Sequence, residues 1–346
     1  MLDQERIFSV LELLNLLNQS NKISSKLLQS YYRSKKHIGS KDRRFISKSF
    51  WNIIRHRYKI DWHLNYLEIE VTLEKEIMLE LFFLNKDYCN NISKIKKLFI
   101  LKYKEIKTFN EVDFKFLNDL NFYEFYNKEM PEYIFYELPN YLVESLKNGF
   151  KNEWRDIALS LNEEGFFDIR VNTIKGKSRD DIYHLLKDLK VPFRLTKYSP
   201  LGIRFSKRFP IEGHKLFKKG CIEIQGEASQ LVALLLDAKP GMQVADVCSG
   251  AGGKSLILAD IMKNKGRILS LDTNKKRLLK AGLRLKRAGV HNVERRLVKP
   301  NWNVRGLEKK FDLVLIDAPC SGIGTWSRSP DSKFNFNQKQ LQDLVV

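Results

Sequence analysis

The first ~145 residues carry hydrophobic side chains at the spacing of amphipathic helices. One run repeats every three or four residues: Ile7, Val10, Leu11, Leu14 and Leu17. The same period predicts a second amphipathic helical stretch from about Lys41 to Leu67. No glycine lies between Gly39 and Gly149, as expected of helices joined by few special turns. The pattern predicts an all-α domain over residues 1–145.

Beyond Gly149 the helical period gives way to short runs that are typical of strands. A helix is predicted at Asp180–Leu189 between them. The predicted strands are Phe166–Asn172, Pro192–Leu195, Gly202–Phe205 and Cys221–Ile224. Together these elements predict a small α+β module over residues 146–225, whose function the periodicity does not reveal.

From Gly226 onward, predicted helices and strands alternate with short connections, which indicates a parallel, doubly wound α/β sheet over residues 226–346. The predicted helices are Glu227–Leu236, Lys254–Met262 and Lys275–Ala288. The predicted strands are Met242–Val247, Arg267–Leu271 and Phe311–Ile316, the last of them a buried strand.

The charge of the chain changes this picture. Lys and Arg number 61 against 41 Asp and Glu, which gives a net charge of +20 and a pI near 9.6. Such an excess favours a polyanionic partner, most commonly nucleic acid, although the bias of an AT-rich genome would also raise the Lys count. Lys280, Arg284 and Arg287 share one face of a predicted helix, which we interpret as an RNA-binding surface or a solvated face.

The four cysteines form no C-x-x-C pair, which argues against disulfides or a zinc site and for a reducing compartment. The N-terminus lacks the basic segment and cleavage site of a signal peptide. No apolar run approaches the ~18–20 residues of a membrane span. We therefore expect a soluble cytoplasmic protein with no bound metal and no membrane partner.

Three glycines follow the predicted strand that ends at Val247, in the run Cys248, Ser249, Gly250, Ala251, Gly252, Gly253, Lys254. They let the backbone approach a ligand where open α/β sheets bind cofactors. The run matches neither the phosphate loop G-x-x-x-x-G-K-S/T nor the dinucleotide pattern G-x-G-x-x-G, so it predicts some nucleotide-like ligand. Asp272, at the end of the next strand, is placed to accept the ribose hydroxyls, or else to cap the helix near Asn274.

A second chemical motif, Asp317–Ala318–Pro319–Cys320–Ser321–Gly322, follows the strand Phe311–Ile316. A cysteine after the proline suits a cytosine, because a thiolate that adds to C6 makes C5 nucleophilic enough to take a methyl group. A buried structural cysteine is the alternative.

These motifs make the chain resemble the Sun/Fmu (RsmB-like) family of S-adenosylmethionine-dependent RNA cytosine-5 methyltransferases. The resemblance rests on the two loops above and on four further motifs: Ile38–Arg43, Arg170–Thr173, Gln225–Gln230 and Arg328–Asp331. It implies a NusB-like helical domain, an RRM-like module and a Rossmann-type methyltransferase domain. It also implies ribosomal RNA, of the small (16S) subunit, as the substrate.

The same resemblance implies roles for individual residues. Cys320 and Asp317 would be catalytic. S-adenosyl-L-methionine would be bound by Cys248, Ser249, Gly250, Ala251, Gly252, Gly253, Lys254, Asp272, Arg277 and Asp317. No metal is implied.

The chain also departs from the family. The attacking cysteine of the family lies in a T-C-S motif on a following strand, and the cysteine after the proline releases the product; this sequence has no T-C-S. We therefore expect a carboxyl-terminally truncated enzyme with an incomplete sheet, inactive alone or completed by a separate polypeptide. An inactive RNA- or cofactor-binding remnant, or half of a split enzyme, is the alternative, and the broken glycine pattern disfavours an NAD-dependent dehydrogenase.

Overall fold

The computed structural model describes residues 1–19, 24–100, 114–299, 306–334 and 337–344. Contacts divide the chain into two compact units. The helical unit comprises Met1–Glu164 and Ser321–Val346, and the sheet unit comprises Gly165–Cys320. The three domains predicted from sequence, 1–145, 146–225 and 226–346, stay a prediction.

The helical unit packs its apolar stripes into a shared core that includes Ile7, Val10 and Leu14 of the first predicted run. Its described helices are α1 (Asp3–Asn18), α2 (Ser24–Ser34), α3 (Ser40–Arg55), α4 (Arg57–Tyr66), α5 (Leu73–Phe83), α6 (Ile92–Ile100), α7 (Phe116–Asp119), α8 (Glu132–Phe135), α9 (Asn140–Phe150) and α10 (Trp154–Asn162).

The helical stretch predicted over Lys41–Leu67 is confirmed, and the chain breaks at His56 to divide it into α3 and α4. The buried carboxylate of Glu137 accepts the backbone N–H groups of Tyr58 at 3.3 Å and Lys59 at 3.1 Å. These are amides of the first turn of α4, which have no partner within their own helix. Hydrophobic spacing cannot reveal this break, since the capping carboxylate is distant in sequence.

Residues that follow Cys320 complete the core of the helical unit. Trp326 is buried in a cluster with Leu138, Leu142 and Trp154. Lys333 donates to the carbonyl of Arg55 at 2.6 Å and pairs with a buried carboxylate, that of Glu137, at 3.2 Å. Burial lowers the pKa of Lys333 to about 8.

The sheet unit begins with a four-stranded antiparallel sheet in the order β2-β3-β1-β4. Its strands are β1 (Phe167–Val171), β2 (Phe193–Leu195), β3 (Gly202–Phe205) and β4 (Ile222–Ile224). Helices α11 (Arg179–Leu185) and α12 (Lys215–Lys218) give the β-α-β-β-α-β succession of ferredoxin-like folds. All four predicted strands are confirmed to within two residues at either end. We call this the small sheet.

A parallel sheet follows in the order β7-β6-β5-β8, which is the 3-2-1-4 arrangement of a doubly wound Rossmann-type fold. Its strands are β5 (Gln243–Val247), β6 (Arg267–Asp272), β7 (Val293–Leu297) and β8 (Leu313–Ile316). Its helices are α13 (Glu227–Leu235), α14 (Gly253–Ile261) and α15 (Lys275–Ala288). The predicted α/β fold class, with a helical N-terminal part, is confirmed.

The strand predicted at Phe311–Ile316 is present, but its predicted burial is wrong, because Leu315 alone of the four residues of β8 is buried. Val314 and Ile316 share one face of β8 and are 50% and 68% exposed, and among the described residues no strand pairs with the outer edge of β8. One further helix, α16 (Gln338–Asp343), belongs to the helical unit. Within the described ranges, no helix is both long and apolar enough to span a bilayer.

Candidate cofactor and thiol loops

Three carboxylates gather at the carboxyl ends of neighbouring strands in the parallel sheet. Asp246 lies near the end of β5, Asp272 ends β6, and Asp317 directly follows β8. Burial raises the pKa of the Cys248 thiol, and the charges of these three carboxylates raise it further. The strand order therefore brings together the acidic residues at the edge where the sequence predicted a ligand.

The cofactor loop, Cys248–Lys254, leaves β5 in an unusual backbone conformation. Cys248, Gly250 and Gly252 all have a positive φ, of 62°, 59° and 76°. Glycine adopts this region freely, but a cysteine does so at a cost. A Cβ on Gly250 would meet no described atom within 4 Å, so the loop borders open space at this point.

Asp272 fixes the cofactor loop from the neighbouring strand. One carboxylate oxygen accepts the N–H of Gly250 at 2.8 Å, and the other accepts the N–H of Asn274 at 2.6 Å. The alternative role as the cap of α15 is wrong, because the side chain of Asn274 caps that helix by accepting from Arg277. Each carboxylate oxygen retains a second lone pair and can still accept a hydrogen bond. The acceptance of ribose hydroxyls by Asp272 stays a prediction.

Asp246 is a site residue that the sequence reasoning missed. Its side chain is buried, and one oxygen accepts from Ser255 at 2.5 Å, while Ser255 also bonds Ser270 at 2.7 Å. Burial raises the pKa of Asp246 to about 6. Its other oxygen has no partner among the described residues, and neither does the buried hydroxyl of Ser249. An aspartate between the apolar residues Ala245 and Val247 of a predicted strand was the available signal.

The thiol loop, Asp317–Cys320, is far less constrained. All four of its residues are exposed, so the alternative of a buried structural cysteine at Cys320 is wrong. Asp317 accepts from Lys254 at 2.5 Å, which joins this loop to the end of the cofactor loop. The predicted catalytic aspartate and the predicted cofactor lysine therefore do meet.

Arg277, the last predicted cofactor residue, lies in the first turn of α15 with an exposed side chain. Its backbone N–H serves the Asn274 cap at 3.2 Å. The structure gives its guanidinium no contact to either loop among the described residues, so its role in cofactor binding stays a prediction.

Comparison with known proteins identifies the scaffold. The family described as 16S rRNA methyltransferase RsmB/F matches residues 233–346, and the ferredoxin-like domain of RsmF/B-like methyltransferases matches residues 138–212. Together the two matches cover more than half of the chain. The chain belongs to the RsmB/F methyltransferase family. The family recognised from the motifs is therefore confirmed.

Curated relatives in the RsmB/F family carry names that specify ribosomal RNA. The chain is 30% identical over 207 residues to ribosomal RNA small subunit methyltransferase B of Pseudomonas syringae pv. tomato, which covers 59% of this chain and 44% of that protein. It is 34% identical over 179 residues to a 28S rRNA (cytosine-C(5))-methyltransferase of Mus musculus, covering 50% of this chain and 22% of that protein. The chain thus spans less than half of either relative.

Solved structures agree with the fold. A methyltransferase homolog protein from Pyrococcus horikoshii is 28% identical with a TM-score of 0.50, over 56% of this chain and 64% of that one. The structure of PH0851 is 20% identical with a TM-score of 0.72, over 99% of this chain and 80% of that one, and shows the fold alone.

The family motif Arg170–Thr173 joins the two sheets of the sheet unit. Arg170 is fully buried and pairs with Asp260 of α14 at 2.8 Å. Asn172 donates to the carbonyls of Gly220 at 2.7 Å and Ala288 at 2.8 Å. From the sequence these residues were known only as a motif of the family. The structure shows that they link the two sheets.

The basic face expected on α15 of this RsmB/F chain is smaller than its sequence indicates. Arg284 and Arg287 both pair with the buried carboxylate of Glu223. Of the three cations expected to face RNA together, Lys280 alone is exposed without a described ion pair. Helical spacing showed that the three share a face, but not that a carboxylate of the small sheet lies beneath two of them.

Proposed function

We propose that the chain is the donor-binding and base-facing part of an RNA cytosine-C5 methyltransferase that acts on small-subunit ribosomal RNA. The observation that carries the proposal is the placement of the cofactor loop and the exposed thiol of Cys320 at one edge of one parallel sheet. Family membership supports methyl transfer, and the names of the curated relatives support ribosomal RNA.

The residues of the cofactor loop fit S-adenosyl-L-methionine, which supplies a methyl group on a positively charged sulfur. The hydroxyl of Ser249 and one oxygen of Asp246 are buried polar atoms that lack a partner among the described residues, and the loop borders open space at Gly250. Carboxylates near this loop favour a cation by simple electrostatics. Asp272, Gly250 and the neighbouring residues Cys248–Lys254 would hold the donor, with Asp272 accepting the ribose hydroxyls.

Two residues of the thiol loop, Cys320 and Asp317, have the remaining roles in the proposed reaction. Cys320 presents an exposed thiol where a flipped cytosine could approach, and Asp317, held by Lys254, orients the start of the thiol loop. By family resemblance Cys320 releases the product, and the thiol that adds to C6 belongs to the T-C-S motif that this sequence lacks. We therefore expect the chain to bind the donor and RNA without turnover. The exposed face of β8 at Val314 and Ile316, together with an outer edge that no described strand pairs with, supports a further polypeptide segment that covers this part of the sheet.

A methyl-transfer assay tests the proposal, with S-adenosyl-L-methionine carrying a labelled methyl group and unmodified 16S ribosomal RNA. We expect no 5-methylcytosine from the chain alone. We expect label on cytosine C5 when a T-C-S-containing segment from a relative is fused or added. In that active form, Cys320→Ser should slow product release and leave RNA covalently attached.

Two results would contradict the proposal. Labelled RNA from the chain alone, lost in Cys320→Ser, would make Cys320 the attacking thiol and overturn the division of roles. No label from the completed form, despite measurable donor binding, would overturn the assignment of the reaction.

A further inference from the structure

Two side-chain connections run from the small sheet to the cofactor loop. Each begins at or just after β4 and ends on a backbone carbonyl of the loop. We call the three residues that make these connections the loop brace: Glu223, Gln225 and Arg284. Glu223 and Gln225 are 1% and 7% exposed, so neither is a surface group.

The first connection uses the fork of Arg284. One terminal nitrogen donates to the carbonyl of Ala251 at 2.8 Å, and the other pairs with Glu223 at 3.2 Å. A charged donor makes a stronger hydrogen bond than a neutral one, and a planar guanidinium can serve two partners at fixed angles. Arg284 therefore ties the loop carbonyl to a buried carboxylate of the small sheet.

The second connection uses the amide of Gln225. Its nitrogen donates to the carbonyl of Gly253 at 3.2 Å, while its oxygen accepts from Arg170 at 2.9 Å. Arg170 is in turn fixed by its buried pair with Asp260. The arginine can only donate, so it sets which end of the amide faces the loop.

The cofactor loop needs such support because of its own backbone. Residues 248, 250 and 252 adopt positive φ values, and Gly250 and Gly252 would sample many other conformations if free. A strained conformation at Cys248 persists only where the surroundings determine it. The hydrogen bond from the N–H of Gly250 to Asp272 holds the loop at one side, and the brace holds its carbonyls at the other.

We propose that Glu223, Gln225 and Arg284 are positioning residues that keep the cofactor loop in its donor-binding shape, so that the small sheet forms part of the cofactor site. This inference rests on the proposed function for the identity of the ligand. The predicted effect of these residues on the conformation of the loop is independent of the proposed function, because that effect can be measured without any ligand.

The first test follows hydrogen exchange of the loop amides in the ligand-free chain. The amides of Ser249, Gly250 and Gly252 are hydrogen-bonded and should exchange slowly. Arg284→Lys keeps the charge but loses the two-partner fork, and Gln225→Glu keeps the acceptor for Arg170 but loses the donor to Gly253. We expect both variants to exchange these amides several-fold faster with an unchanged urea midpoint.

Arg287→Lys is the matched control. Arg287 also pairs with Glu223 and is equally exposed, yet no described contact joins it to the loop. The inference is overturned if Arg287→Lys accelerates exchange as much as Arg284→Lys. It is equally overturned if exchange rises only in proportion to a loss of global stability, because that result indicates a merely structural role.

The second test titrates the same variants with S-adenosyl-L-methionine. We expect the dissociation constant to rise about tenfold for Arg284→Lys and Gln225→Glu and to stay unchanged for Arg287→Lys. Unchanged affinity in all three would overturn the positioning role. If the unmodified chain binds no S-adenosyl-L-methionine, the proposed ligand fails, while faster loop exchange in the two brace variants would still uphold the brace.

Discussion

The cofactor loop and the thiol loop follow neighbouring parallel strands, yet the protein constrains them very differently. The cofactor loop donates one hydrogen bond to Asp272 and accepts hydrogen bonds from Gln225 and Arg284, and two buried carboxylates lie next to it. The thiol loop is exposed and follows β8, an edge strand among the described residues. Among the described residues, the ion pair between Asp317 and Lys254 is the only side-chain interaction that holds the thiol loop.

The contrast indicates that the two halves of the proposed reaction are prepared to different degrees. A donor site can be preformed by loops and strands that belong to this chain. A site for a flipped base needs walls on both sides of the thiol, and the outer side of β8 has no described strand beside it. We infer that donor binding depends on the braced loop, whereas chemistry depends on what covers the thiol loop.

The largest expected effect is a difference in stability between variants of two ion pairs: Arg170 with Asp260, which is buried, and Lys254 with Asp317 at the thiol loop. Arg170→Met leaves Asp260 buried without its cation, which we expect to lower the free energy of unfolding by about 3–5 kcal/mol. Lys254→Met breaks a pair whose carboxylate is 54% exposed, and the loss should stay below about 1 kcal/mol. Urea unfolding followed by circular dichroism measures both, and equal losses would refute the contrast.

A smaller effect is expected from pH, through Asp246. Burial raises the pKa of Asp246 to about 6. The Asp246 carboxyl therefore binds its proton more tightly in the folded state than in the unfolded chain. The resulting stabilisation is present at low pH and is lost as pH rises through about 6. The stability of the wild type relative to Asp246→Asn should fall by about 2 kcal/mol between pH 4.5 and pH 7. A pH-independent difference in unfolding free energy would contradict the burial of this carboxylate.

The smallest effect concerns the two cysteines of these loops. Cys320 is exposed, whereas Cys248 is partly buried and nearby carboxylates help to raise its pKa. At pH 7 we expect N-ethylmaleimide to modify Cys320 at least about tenfold faster than Cys248. Peptide mapping by mass spectrometry gives both rates, with Cys320→Ser and Cys248→Ser as controls for assignment. Faster modification of Cys248 than of Cys320 would contradict the proposal that the cofactor loop is more constrained than the thiol loop.

The sequence predicted much of the sheet unit, because strands, glycines and acidic residues there follow patterns of short range. The strand β5, the glycine run after it and Asp272 at the end of β6 could all be read in order along the chain. Parallel strands place their carboxyl ends together, so the meeting of Lys254 and Asp317 follows from topology.

What the sequence could not predict depends on partners that are distant in the chain. The break at His56 depends on Glu137, and the loss of two cations from the basic face of α15 depends on Glu223. The brace joins Gln225 to Gly253, and Glu223 through Arg284 to Ala251, across two sheets. No local period encodes such pairings, because each is fixed only when the sheets pack.

Calorimetric titration of the chain with S-adenosyl-L-methionine tests the central claim most directly, through a comparison of two aspartates. Asp272 bonds a loop amide at the carboxyl edge of the parallel sheet, and Asp312 bonds the amide of Gln243 at the opposite edge. We predict one binding site, an affinity about tenfold weaker in Asp272→Ala, and no change in Asp312→Ala. Absence of binding by the wild type, or equal affinities in the two variants, would contradict the account.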